Sequence, residues 1–196
     1  GVVLGRVDRL SPLAQRALKV GAVIGRSFTW SALLQVFEAA DGSLELLMRD
    51  ATGWSQPFFR LESFRVTVEH RAPADGSSGV QGAEIVTEAT VKVEVEGQRV
   101  IATSEGNGPV NALDEALRKA MAMAGAHHVL GGVHLTDYKV RVLDTQKGTG
   151  AVTRVLIDST DGERSWSTIG VSENIIEASW QALADSIIYG LLHHRA

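Results

Sequence analysis

Gly170-Val171-Ser172-Glu173-Asn174 is the stretch of this chain best suited to hold a small anion. It precedes a segment with helical apolar spacing, so Ser172 is the expected N-cap, and the backbone N–H groups beyond it can receive a carboxylate. Gly106-Asn107-Gly108-Pro109 opens another helix. It lacks the lysine of a phosphate-binding loop and reads better as a tight turn with Pro109 at the first helical position. Residues 144–150 carry Gly148 and Gly150 and run up to Val152, so they form either a flap over a ligand or a plain hairpin loop. The paired histidines His127-His128 and His193-His194 have no other ligand at metal-binding spacing. Adjacent side chains diverge on a helix, so these are expected to be solvated helix-end residues. There is no Gly-x-Ser-x-Gly elbow and no cysteine, which removes a serine-elbow or thiol nucleophile. Trp166 and Trp180 fall in a strand and on a helix stripe, where packing is the expected role.

The elements around these residues must fit in 196 residues and 21.0 kDa, of which 44% are hydrophobic and 21% charged. That suffices for one folded domain or slightly more, whereas a (β/α)₈ enzyme body needs about 250 residues. Nineteen Lys and Arg against 23 Asp and Glu give a net charge of −4 with no basic stripe, which argues against a nucleic-acid partner. No apolar run approaches the roughly 20 residues that span a bilayer. The N-terminus lacks a basic stretch followed by an apolar core. A cytoplasmic protein without a cofactor is therefore expected, and Gly1 suggests a chain that begins inside a longer one.

Residues 1–36 read as helical: Leu10, Leu13, Leu18 and Val20 form a stripe, and Ser11-Pro12 gives a start signal. A second short helix carries Leu33, Leu34 and Phe37 until Asp41-Gly42 breaks the pattern, and residues 44–48 are ambiguous. Phe64, Val66 and Val68 then alternate with polar residues, as in a strand with one buried face. Residues 71–82 have the composition of an exposed loop. Ala89, Val91, Val93 and Val95 line one side of a long strand that turns at Glu96-Gly97, and a helix with Leu113, Leu117 and Met121 follows.

This order recurs. Tyr138 to Val142 answers Phe64 to Val68 seventy-four positions on, the turn at Asp161-Gly162 answers Glu96-Gly97, and Gly170-Val171-Ser172 stands for Gly106-Asn107-Gly108. The helix with Ile176, Trp180, Leu183, Ile187 and Leu191 answers the earlier one at an offset of sixty-six. The reading is an α+β fold of two βββα repeats with pseudo-twofold symmetry, repeat one over 58–126 and repeat two over 135–194.

Residues 58–66, 105–113, 137–144 and 170–180, in register across one chain, closely resemble the C-terminal regulatory domain of the citramalate synthase and 2-isopropylmalate synthase family. The likeness covers about 37–196, and the segment from Gly170 to Trp180 is nearer the citramalate branch. It implies a parent with an N-terminal barrel, absent here, that condenses acetyl-CoA with a 2-oxo acid on a divalent metal. It also implies a domain that is not itself catalytic, forms a homodimer, and binds the end-product amino acid, isoleucine in one branch and leucine in the other. Residues 1–36 differ, and resemble a helical segment that follows the ATPase module of large signal-transduction ATPases.

An amino-acid effector needs an anion site, an acceptor for its ammonium group and an apolar pocket. Ser172, Glu173 and Asn174 are the candidate anion turn, and Asp137 the candidate ammonium acceptor. Leu135, Tyr138, Val142 and Val152 are the candidate pocket wall, with Gly148 in the covering loop. Ordinary core packing for the apolar residues and strand capping for Asp137 are the competing readings. The resemblance places such a site near the dimer axis.

Overall fold

The computed structural model describes residues 41–71, 84–125, 130, 132–143 and 151–194. The expected N-terminal helices, the loop at 72–82, the glycine loop 144–150, and His127 and His128 all lie outside these residues. Two compact units divide the chain, one of residues 57–131 and one formed by the residues on either side of it.

In the first unit, β1 (Phe59–Arg71), β2 (Glu84–Val95) and β3 (Gln98–Gly106) form an antiparallel sheet in that order, followed by helix α1 (Pro109–Met123). The expected β2 face is the core: Ala89, Val91, Val93 and Val95 are at most 1% exposed. They meet Leu113, Leu117 and Met121, which recur every four residues and so share a helix face. Burying each such side chain contributes about 2 kcal/mol. Glu96 and Gly97 both have positive φ, as a two-residue hairpin with the right twist requires.

Phe64, Val66 and Val68 are not the buried face the alternation suggested. The first two are half-buried and Val68 is 56% exposed. They do lie on the helix side, opposite Val91, Ala89 and Thr87, but α1 lies across β2 and β3 and barely reaches β1. Alternation reveals which face a residue occupies, and coverage depends on where the helix lands.

The second unit repeats this path with β4 (His134–Val142), β5 (Thr153–Thr160), β6 (Ser165–Ser172) and helix α2 (Ile175–His194). A bulge between Leu135 and Asp137 recurs seventy-four positions after one between Leu61 and Ser63. Trp180, Leu183, Ile187 and Leu191 are buried as the spacing predicts. Gly170 permits the close packing, because a Cβ there would lie 1.8 Å from the Ala178 carbonyl oxygen. The strand pairing corrects the repeat by two residues: Gly106 pairs with Thr87 as Ser172 pairs with Thr153, so Ser172 rather than Gly170 is the counterpart of Gly106.

This unit also contains helix α3 (Asp41–Ala51), which precedes both repeats in sequence. Asp41 and Gly42 are themselves helical. The Asp41 carboxylate accepts the N–H groups of Gly42 and Ser167 at 2.9 and 2.7 Å, so it serves a helix first turn, where an acid suits the dipole. Ser43 Oγ accepts the Ile169 N–H at 2.9 Å, and Gln181 Oε1 accepts that of Val171 at 3.1 Å. Three outward N–H groups of edge strand β6 are thus paired with side chains, which closes that edge to another strand.

Candidate functional site

The bulge in β4 decides which side chains can act together. Leu135 pairs with Ser159 and Tyr138 with Ile157, two residues apart on β5, so the extra residue returns Leu135 and Tyr138 to one face despite their odd spacing. Val140 and Val142 continue that face opposite Val155 and Thr153. The result is an apolar strip along an edge strand, with Tyr138, Val140 and Val142 between 38% and 47% exposed. At roughly 3.3 Å per residue, Leu135 and Val142 stand about 20 Å apart, so a small ligand can reach one end of the strip at a time.

The Tyr138 end lies against the first turns of α2. Tyr138 Oη and Ser179 Oγ are 2.8 Å apart, and Ser179 Oγ also donates to the Ile175 carbonyl at 2.7 Å. Ser179 is fully buried. Its single hydroxyl hydrogen goes to Ile175, so the phenol is the donor to Ser179. Val142, Thr153 and Ser172 are aligned across the three strands, which sets the turn before α2 about 10 Å from Val142. Val152 is half-buried but is not in the strip: it pairs with Leu143, and the alternation that turns Thr153, Val155 and Ile157 toward the helix turns it to the opposite face.

The predicted cap moves by two residues. Asn174 is the N-cap of α2: its Oδ1 accepts the N–H groups of Ile176 and Glu177 at 2.9 and 3.4 Å, while Ser172 Oγ accepts that of Asn174 at 3.1 Å. Ser172 supports the cap rather than forming it, because the helix begins at Ile175. These three N–H groups are therefore already satisfied. Glu173 is exposed in the same turn.

Asp137 is placed elsewhere. It pairs with Asp158, on the face away from the apolar strip, and binds Lys139 Nζ at 2.6 Å and the Tyr138 N–H at 2.8 Å. Lys139 beside it, with that N–H, holds its carboxyl below the usual range. The structure does not bring Asp137 to the side of the strip, and its charge already has a partner. Gly148 lies outside the described residues.

One further expectation changes. His193 is half-buried rather than free in solvent: Nε2 lies 3.1 Å from Glu45 Oε2, and its ring packs at a tilt against Tyr189 with centroids 4.4 Å apart. Burial pushes the Glu45 carboxyl up, but Arg49 and His193 outweigh it and hold it below its ordinary value. Trp166 and Trp180 are core residues, and Trp166 Nε1 donates to the Ser186 carbonyl and Oγ at 3.2 Å. A shallow groove of about 420 Å³ runs along α3, lined by Asp41, Leu44, Glu45, Met48, Arg49 and Thr52, and includes no predicted site residue. Among the described residues no three His, Asp or Glu side chains cluster to hold a metal ion, and no helix is long and apolar enough to cross a membrane.

Sequence reasoning missed Ser179 and Gln181. The signal for Ser179 was present, since the sixty-six-residue offset puts it where the first helix has Leu113, a buried leucine.

The structure is thus two βββα repeats, the second with an exposed apolar edge strand beside a capped helix start. The chain belongs to the LeuA allosteric (dimerisation) domain family, whose model matches residues 38–191. Among individual proteins it is 50% identical over 155 residues to the (R)-citramalate synthase of Synechocystis sp., covering 79% of this chain and 27% of that enzyme. It is 47% identical over 174 residues to the (R)-citramalate synthase of Streptomyces coelicolor, covering 88% and 30%. The 2-isopropylmalate synthase of Aquifex aeolicus is 30% identical over 192 residues, covering 95% and 33%. The chain spans about a third or less of the length of these relatives.

Proposed function

We propose that this chain is the isoleucine-sensing regulatory and dimerisation part of a cytoplasmic citramalate synthase whose catalytic barrel lies outside it. The higher identity to citramalate synthases than to 2-isopropylmalate synthases supports the branch. The observation that carries the site is the apolar edge of β4, where Tyr138 and Val142 stand exposed beside the first turns of α2. Exposed valines on a strand edge are costly in water and are covered when a second copy or a ligand arrives. Tyr138 and Val142 form the wall for a branched side chain, with Leu135 extending it toward the far end. The Ser172-Glu173-Asn174 turn meets the effector's charged end: Glu173 takes the ammonium group and the positive end of α2 faces the carboxylate. Regulation follows if the effector binds one dimer arrangement better than another, since only differential affinity shifts an equilibrium.

Thermal unfolding with millimolar isoleucine or leucine tests this. At 100 times its dissociation constant a ligand stabilises the native state by about 2.7 kcal/mol, which moves the midpoint by a few degrees. A shift with isoleucine supports the proposal. A shift with leucine alone assigns the chain to the isopropylmalate branch, and no shift with either leaves a dimerisation scaffold without an effector.

A further inference from the structure

The two repeats differ at one pair of positions in a concerted way. Tyr138 pairs with Ile157 on β5 as Phe64 pairs with Val91 on β2, so Tyr138 and Phe64 hold the same place. Ser179 holds the place of Leu113 in the other helix, and both are fully buried. One unit therefore has an aromatic ring and a leucine where the other has a phenol and a serine joined by a 2.8 Å hydrogen bond. Exchanging a core leucine for serine forfeits apolar burial, and the hydroxyl's bonds to Tyr138 and the Ile175 carbonyl satisfy the polar group it introduces.

We infer that Ser179 is the positioning residue of the effector site, holding the Tyr138 ring at a fixed distance from Val142 and so setting which branched side chain fits. The inference rests on the isoleucine-sensing reading above. The bond fixes the tip of the phenol while the ring remains 38% exposed, so the ring offers an immobile apolar wall rather than a packed core contact. The relay runs from Tyr138 O–H to Ser179 Oγ, and from Ser179 O–H to the Ile175 carbonyl. It ties the edge strand to the first turn of α2, next to the turn assigned to the effector's charged groups. A ring free to rotate accepts isoleucine and leucine more equally, because the width of the wall is no longer set.

Calorimetric titration of this chain with L-isoleucine and with L-leucine tests the assignment, using Ser179→Ala, Ser179→Thr, Tyr138→Phe and the Ser179→Ala/Tyr138→Phe double variant. Loss of one neutral hydrogen bond predicts about fivefold weaker isoleucine binding in Ser179→Ala and in Tyr138→Phe. It also predicts a smaller change for leucine, no further loss in the double variant, and recovery in Ser179→Thr, which keeps the hydroxyl. A structural role for Ser179 would lower the unfolding midpoint and leave the isoleucine-to-leucine ratio unchanged. That result overturns the assignment while leaving the effector reading intact. Tyr138→Phe removes only the phenol oxygen at a partly exposed position, so it carries the test if Ser179→Ala fails to fold. Absence of heat with either amino acid in the unsubstituted chain overturns both.

Discussion

In the first unit Ala112, Leu113, Ala116, Leu117, Ala120 and Met121 meet the Ala and Val face of β2, and Thr87 is its one buried polar residue among those described. The second unit, built on the same path, buries Thr153, the counterpart of Thr87, and in addition Ser43, Ser159, Thr168, Ser179, Asp185 and Ser186. Most of the bonds they make cross between elements. Thr168 Oγ1 donates to the Ala182 carbonyl at 2.7 Å, Ser186 Oγ to Ser159 Oγ at 2.6 Å, and Ser43 Oγ to Asp185 Oδ2 at 3.2 Å. Apolar packing tolerates small shifts, whereas directional bonds in a low-dielectric interior hold one arrangement and lose heavily when broken. The first unit has the composition of a support, and the second that of a device whose geometry must be set.

The sharpest way to break this comparison is at the helix–sheet contact. Gly170→Ala places a Cβ 1.8 Å from a backbone oxygen and should destabilise the second unit by more than about 4 kcal/mol. Gly108→Ala meets nothing within 4 Å on an extended backbone and should stay within about 1 kcal/mol. Urea unfolding followed by circular dichroism separates the two, and a mild Gly170→Ala would mean that α2 is not held that close.

Leu117→Ala and Leu183→Ala remove equivalent, fully buried leucines and should each cost about 3 kcal/mol. Equal losses by the same assay support a shared apolar frame, and a difference above about 2 kcal/mol would contradict it. Asn174→Ala should cost about 1 kcal/mol, since it deletes a side-chain cap. The first helix starts at Gly108 without one, so Gly108→Asn there should be neutral or stabilising.

The smallest effect concerns pH. Glu45, held below its ordinary value in the folded state, adds stability above its unfolded pKa of about 4.5 and loses it as pH falls through the lower folded value. Asp114 in the first unit is pushed up by burial against the opposing pull of Arg118. Its contribution is complete below its unfolded pKa and fades as pH rises through the folded one. Amide exchange at pH 6 and pH 3.5 should therefore show α3 and the end of α2 losing protection relative to α1. The opposite order would reverse the assignment of the two signs.

Much of this was legible in the sequence, for local reasons. The β2 alternation, the Glu96-Gly97 turn and the four-residue stripes of both helices depend on near neighbours, and the offsets between repeats are a direct comparison of letters. The β4 bulge was not legible, because it exists only in the pairing with β5. Without it Leu135 and Tyr138 appeared to share a pocket wall for no geometric reason, and Asp137 between them was grouped with the wall as the ammonium acceptor. Helix α3 was missed because Asp-Gly signals a turn, and only the distant Ser167 N–H shows what else Asp41 serves. Ser172 was named as cap because the helix start was read two residues early. The offset marks Ser179 as a polar residue in a core position, but its bond to Tyr138, forty-one residues away, is visible only in the fold.

The most direct test of the central claim is amide hydrogen exchange of this chain with and without isoleucine. The account predicts slowed exchange over residues 134–142 and 172–180, with the equivalent strand and helix start of the first unit, 59–71 and 106–114, unchanged. Protection of the first unit in their place, or of neither, would contradict it.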